Sequence, residues 1–149
     1  MWPRIRYQGA IVRGNQVLLI QHREHASGRA YWLLPGGGQE EGESAEECVV
    51  REMREETGLE VRVERLLYEA PEPSIGANKR YQTYLCSIIS GTPKPGYEPE
   101  PYADQKYSIA DVGWFDLNQE DSWGELVCSD PITYPQLKRL RRLLGFDRS

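Results

Sequence analysis

The stretch from Gly36 to Glu60 reads GGGQEEGESAEECVVREMREETGLE, and it limits the possible folds of this chain more than any other. Ser44 with Glu47 three residues later has the spacing of a capping box, and Gly58 stands where a left-handed C-terminal cap is expected. Between them the sequence predicts a helix from Ser44 to Thr57. On a wheel of about 100° per residue, Ala45, Cys48, Val49 and Met53 share one side and must face a core. Glu47, Arg51 and Arg54 fall on the other side, which is expected to be solvated. Glu52 and Glu56 lie one turn apart inside the apolar arc, and Glu55 borders it beside Glu52.

Such an arrangement is costly. Neighbouring like charges on a helix repel by a few tenths of a kcal/mol per pair, roughly, and burying carboxylates costs more. The negative end of the helix dipole is also a poor place for acid. An acidic face laced by ion pairs such as Arg51–Glu55 is the ordinary explanation. The shared face with the core residues favours a different one, a divalent cation gathering hard oxygen ligands. The glycines before the helix suit a loop that folds its backbone against a metal or phosphate, and they suit neither strand nor helix. No G-K-[ST] follows them, so they are not a P-loop.

The remaining chain reads as strands with one more helix. RYQGAIVR and QVLLIQH form a predicted hairpin over residues 4–22, turning at Gly14-Asn15. YWLLP is a short strand entering the glycines. LEVRVERLLYEA, KRYQTYLCSIIS and DVGWFDL are further strands, and GTPKPGYEPEPYADQ is a loop. YPQLKRLRRLLGF is an amphipathic helix with Leu137, Leu140 and Leu144 on one side. This order gives an α/β (α+β) layout, and no repeat or composition shift divides residues 1–149, so one domain is expected. A net charge of -5 implies no general polyanion-binding surface, hence no nucleic-acid partner. No run approaches a membrane span and no signal peptide is visible. Cys48, Cys86 and Cys128 are far apart and odd in number, which suits free thiols in a cytoplasmic protein.

Gly37, Glu43, Arg51, Glu52, Glu55, Glu56 and Gly58 fit the pattern G-x5-E-x7-R-E-U-x-E-E-x-G-U, with Met53 and Leu59 at the two bulky apolar U positions. Over residues 37–59 the chain resembles the Nudix hydrolases, of which this run is the signature. The resemblance implies a mixed β-sheet sandwiched between helices, with the box forming loop-helix-loop. It implies hydrolysis of a pyrophosphate bond in a nucleoside diphosphate linked to another group, with Mg²⁺, or Mn²⁺ as the alternative ion, as cofactor. Glu52, Glu55 and Glu56 are expected to hold the metal, with the Gly37 carbonyl as an additional ligand. Arg51 is expected to orient a glutamate of the cluster, Glu43 to steady the loop or reach metal through water, and Gly58 to cap the helix. The general base stays open between Glu52 and the loop residues Glu98 and Glu100.

Recognition of the substrate is less legible. Arg23 and Arg29 flank the polar loop before the box and are candidates to meet phosphate. Tyr81, with Tyr84, Tyr102 and Trp114, is a candidate to stack on a base. His22 and His25 read as surface histidines. Pro71 and Pro73 fall near, without matching, the family's downstream proline for ADP-ribose, and its coenzyme A pattern is absent, so the small-molecule nucleotide is not identified. A homodimer is expected from family habit. The alternative is a non-catalytic Nudix domain that senses a nucleotide metabolite.

Overall fold

Strand alternation decides which face of this protein meets which helix. The computed structural model describes residues 4–71, 79–97 and 107–146. Strands β1 (Arg4–Arg13) and β2 (Gln16–Glu24) form the expected hairpin, with Val12 opposite Val17 and Arg13 opposite Gln16. β1 then parts from β2. On one side it runs parallel to β6 (Lys79–Ser90), from Arg4 beside Lys79 to Ile11 beside Cys86. On the other it pairs antiparallel with β4 (Gly36–Gly37), through Tyr7–Gly37 and Gln8–Gly36. β2 also carries β3 (Ala30–Leu33) and β7 (Tyr107–Asp116), and β5 (Glu60–Pro71) lies outside β6. The strand order is β3-β2-β1-β6-β5, with β4 on β1 and β7 on β2.

Helix α1 (Ala45–Thr57) covers one face. Its Cys48, Val49 and Met53 pack with Tyr7, Ile11 and Leu18. The alternate residues Ala10, Val17 and Leu19 point the other way. They pack with Val127 of α2 (Glu125–Cys128) and with Leu137 and Leu140 of α3 (Thr133–Leu143). The mixed sheet therefore lies between helices, as the sequence led one to expect. Each fully buried leucine, isoleucine or methionine in these layers contributes about 1.5–3 kcal/mol.

The ends of α1 follow the sequence closely. The Glu47 N–H donates to Ser44 Oγ at 3.1 Å, and the Ser44 N–H donates to Glu47 Oε1 at 2.8 Å. Gly58 sits at φ 76°, and its N–H donates to the Arg54 carbonyl. The glycine run departs from expectation. Gly36 and Gly37 are a two-residue strand, because the free edge of β1 at Tyr7 and Gln8 supplies their partners; tertiary pairing overrides weak local preference. β7 starts earlier than DVGWFDL, and neither α2 nor the 3-10 turn at Glu120–Ser122 has a clear sequence signal.

Replacing Ser44 by Ala removes half of the capping box. Chemical denaturation should show a loss of about 1 kcal/mol, and Tm should fall by about 3 °C.

Candidate active site

The helix that carries the box buries the carboxylates that its wheel placed among apolar residues. Glu52 and Glu56 are both 0% exposed. Glu56 Oε1 accepts the Gly36 N–H at 2.7 Å, so a buried carboxyl group on α1 is held by the backbone of β4.

Arg51 does not reach into solvent. Its Nε and Nη2 grip Glu43 through both carboxylate oxygens, at 2.7 and 3.0 Å. Its Nη1 donates to Glu52 Oε1 at 3.1 Å and to Glu55 Oε2 at 3.0 Å. Nη2 also donates to the Gly38 carbonyl at 2.9 Å. One guanidinium thus ties the loop before the helix to two of its acidic residues. The same contacts raise the pKa of Arg51, with the Glu43 hydrogen bond the largest cause, and hold the Glu43 carboxyl below its usual range. Glu43 also accepts the Glu40 N–H at 3.0 Å, which closes the turn ahead of Ser44. Beneath them burial, reinforced by Glu52, pushes the Cys48 thiol up to about 12.

A strap over residues 91–97 crosses the other end of α1. Its Lys94, Gly96 and Tyr97 N–H groups donate to the carbonyls of Thr57, Glu56 and Glu55, at 2.9, 3.0 and 3.1 Å.

A cleft of about 250 Å³ opens on the opposite face of β1. Arg6 and Gln8 of β1, His22 of β2, Tyr31 of β3, Lys79 and Tyr81 of β6 and Tyr107 of β7 line it, with Asp130, Thr133 and Gln136 at the start of α3. The His22 ring stacks on Tyr107, with centroids 5.5 Å apart and planes at 27°, and meets Tyr31 edge-on at 5.6 Å. Burial pushes the Tyr31 hydroxyl up to about 12. Leu34 also lines the cleft, two residues before the Gly36 N–H that holds Glu56. Among the described lining residues none belongs to α1 or β4, so the cleft and the carboxylates lie on opposite faces of β1.

The candidates fall unevenly around this geometry. Arg51 joins Glu52 and Glu55, Glu56 meets the Gly36 N–H of β4, the Gly37 carbonyl accepts from Cys48 Sγ at 3.8 Å, and Tyr81 lines the cleft. Arg23 donates to the Gly28 carbonyl at 3.2 Å, and Arg29 lies over the Tyr31 ring at 5.2 Å; neither side chain is part of the described cleft lining. Tyr84 is in the core beside α1, and Trp114 stacks under Arg13 at 4.1 Å. Glu98, Glu100 and Tyr102 lie outside the described residues, as does Pro73. His22 corrects the expectation of a surface histidine. It is 6% exposed, because β2 runs on to Glu24 and both β3 and β7 pair with it there. Arg6, Gln8 and Tyr107 had no sequence signal, since only the parting of β1 from β2 gives them a shared cavity.

A family model described as NUDIX domain matches residues 3–131. The chain belongs to the Nudix family. It is 33% identical over 118 residues to an ADP-ribose pyrophosphatase of Methanocaldococcus jannaschii, covering 78% of this chain and 63% of that protein. It is 32% identical over 108 residues to the NAD-capped RNA hydrolase NudC of Vibrio atlanticus, covering 72% of this chain and 35% of that one. The chain thus spans roughly a third to just under two thirds of the length of these relatives. The crystal structure of an ADP-ribose pyrophosphatase from Streptococcus suis shares the fold, with a TM-score of 0.68 at 23% identity over 99% of this chain and 93% of that one.

Nudix hydrolases generally use a divalent metal. Among the described residues no three Asp, Glu, His or Cys side chains close on a common point; Glu52 and Glu55 instead hold Arg51 Nη1 between them. The donor chemistry of this Nudix site nonetheless fits such an ion, because hard divalent cations take carboxylate and carbonyl oxygens. Two fully buried carboxylates and the backbone carbonyls of the buried strand β4 supply donors of that kind.

Arg51→Met should leave Glu52 buried without its guanidinium. Urea unfolding should show a loss of about 3 kcal/mol, the usual consequence of removing one partner of a buried pair, whereas Arg51→Lys should recover part of it.

Proposed function

We propose that this chain is a divalent-metal-dependent hydrolase that cleaves the pyrophosphate bond of a small nucleotide derivative. The observation that carries the reading is the pair of fully buried glutamates on α1, Glu52 bonded to Arg51 and Glu56 to the backbone of β4. Glu52, Glu55 and Glu56 would hold Mg²⁺, with the Gly37 carbonyl as a further donor. When bound, such an ion polarises phosphoryl oxygens and lowers the pKa of water. The chain itself does the positioning. Arg51 keeps Glu52 and Glu55 at fixed separation, and Glu43 holds Arg51 to the loop. Glu52 is the candidate base among the described residues; Glu98 and Glu100 remain candidates outside them.

The cleft beyond Leu34 is suited to the nucleoside. Tyr81, Tyr107 and His22 supply aromatic surface, Arg6 and Lys79 supply positive charge, and Gln8 and Gln136 supply amide hydrogen-bonding groups. The acidic balance of the chain favours a small substrate over a polynucleotide. Among the described residues no helix is long and apolar enough to cross a membrane. Cys48, Cys86 and Cys128 are free thiols, which supports a reducing, cytoplasmic setting.

The test is product release from ADP-ribose, NADH, nucleotide sugars, dinucleoside tetraphosphates, dNTPs and NAD-capped RNA, with Mg²⁺, Mn²⁺ or chelator. Cleavage is expected only with metal. Glu55→Gln and Glu56→Gln should each lower kcat by more than about 100-fold, beyond the usual effect of an outer-sphere change. Tight nucleotide binding without turnover under either metal would replace this reading with that of a nucleotide sensor.

The cleft has its own expected outcome. Tyr81→Ala should raise KM by about tenfold through lost stacking, with kcat changed much less in steady-state assays.

A further inference from the structure

We propose that Gly96 is a positioning residue that fixes the turn of α1 presenting Glu55 and Glu56. The inference rests on the metal-hydrolase reading of that turn. The last four carbonyls of a helix lack partners within it. In α1 they belong to Arg54, Glu55, Glu56 and Thr57. The first is satisfied locally by the Gly58 N–H, and the other three by the strap, through Tyr97, Gly96 and Lys94. The backbone of Glu55 and Glu56 is therefore held by a segment distant in sequence, which follows β6.

The approach is too close for any other residue. A Cβ at position 96 would fall 1.8 Å from the Glu55 carbonyl oxygen, 2.8 Å from the Glu55 carbonyl carbon and 2.9 Å from that of Glu56. All three are backbone atoms, so no rotamer change relieves the contact. Either the strap lifts, taking its three donors with it, or the last turn of α1 moves. Both outcomes reach the Cα atoms of Glu55 and Glu56 directly. The strap also brings N–H dipoles to the negative end of a helix already crowded with carboxylates, where a loss would add to their repulsion.

The role separates from mere stabilisation by what it moves. Mn²⁺ affinity, measured from the free-ion EPR signal, is compared in wild type, Gly96→Ala, Tyr97→Pro and the strap control Thr92→Ala, with Tm alongside. Tyr97→Pro removes one donor and sets its ring Cδ against the same Glu55 carbonyl, so it disturbs this contact from the neighbouring residue and serves if Gly96→Ala does not fold. The variants are expected to bind Mn²⁺ on the order of tenfold more weakly, with kcat reduced about 10- to 100-fold and KM for the best substrate nearly unchanged. Thr92→Ala should match wild type. Folded Gly96→Ala and Tyr97→Pro proteins with wild-type Mn²⁺ affinity and wild-type kcat would overturn the proposal, whatever their Tm. If wild type binds Mn²⁺ but turns over no substrate, the hydrolase reading fails while the affinity comparison still decides the role of Gly96.

Discussion

The hydrogen bond from the Gly36 N–H to Glu56 Oε1 is the contact on which the site depends. It explains how a carboxylate with no exposed surface can sit on the core side of a helix. Without a donor aimed at it, such a polar group would be costly to bury. With it, α1 is tied to β4, and β4 is paired through Gly36 and Gly37 to β1. The acidic turn therefore inherits the rigidity of the central sheet rather than that of a loop.

Arg51 performs a complementary task. Three carboxylates within two turns repel each other, and the helix dipole adds to the strain. A planar guanidinium with several fixed N–H vectors can hold two of them and a third from the preceding loop at once. The contacts to Glu43, Glu52 and Glu55 use that geometry in full. A lysine, with one point charge on a flexible stem, could not span the same partners.

What could be read in the sequence was local, and what could not was long-range. Ser44, Glu47 and Gly58 announce α1 because caps act within a few residues, and the wheel placed Glu52 and Glu56 among buried neighbours because helical period is local too. The hairpin at Gly14 was legible for the same reason. The β4 pairing was not, since two glycines become a strand only beside Tyr7 and Gln8. His22 looked exposed until β3 and β7 closed over it. The grip of the strap on α1 joins residues some forty positions apart, roughly, and no periodicity encodes a contact of that kind.

Alternation along β1 has a consequence for how such a protein can change. Tyr7 and Ile11 belong to the core beneath α1, while Arg6 and Gln8, on either side of Tyr7, line the cleft. One strand thus carries two sets of demands on interleaved positions. Substitutions at one parity alter the cleft lining and leave the acidic helix seated; substitutions at the other do the reverse. The shape and charge of the cleft can drift by single replacements while the packing of α1 stays intact. A one-residue insertion in β1, by contrast, would exchange the two sets and ruin both together.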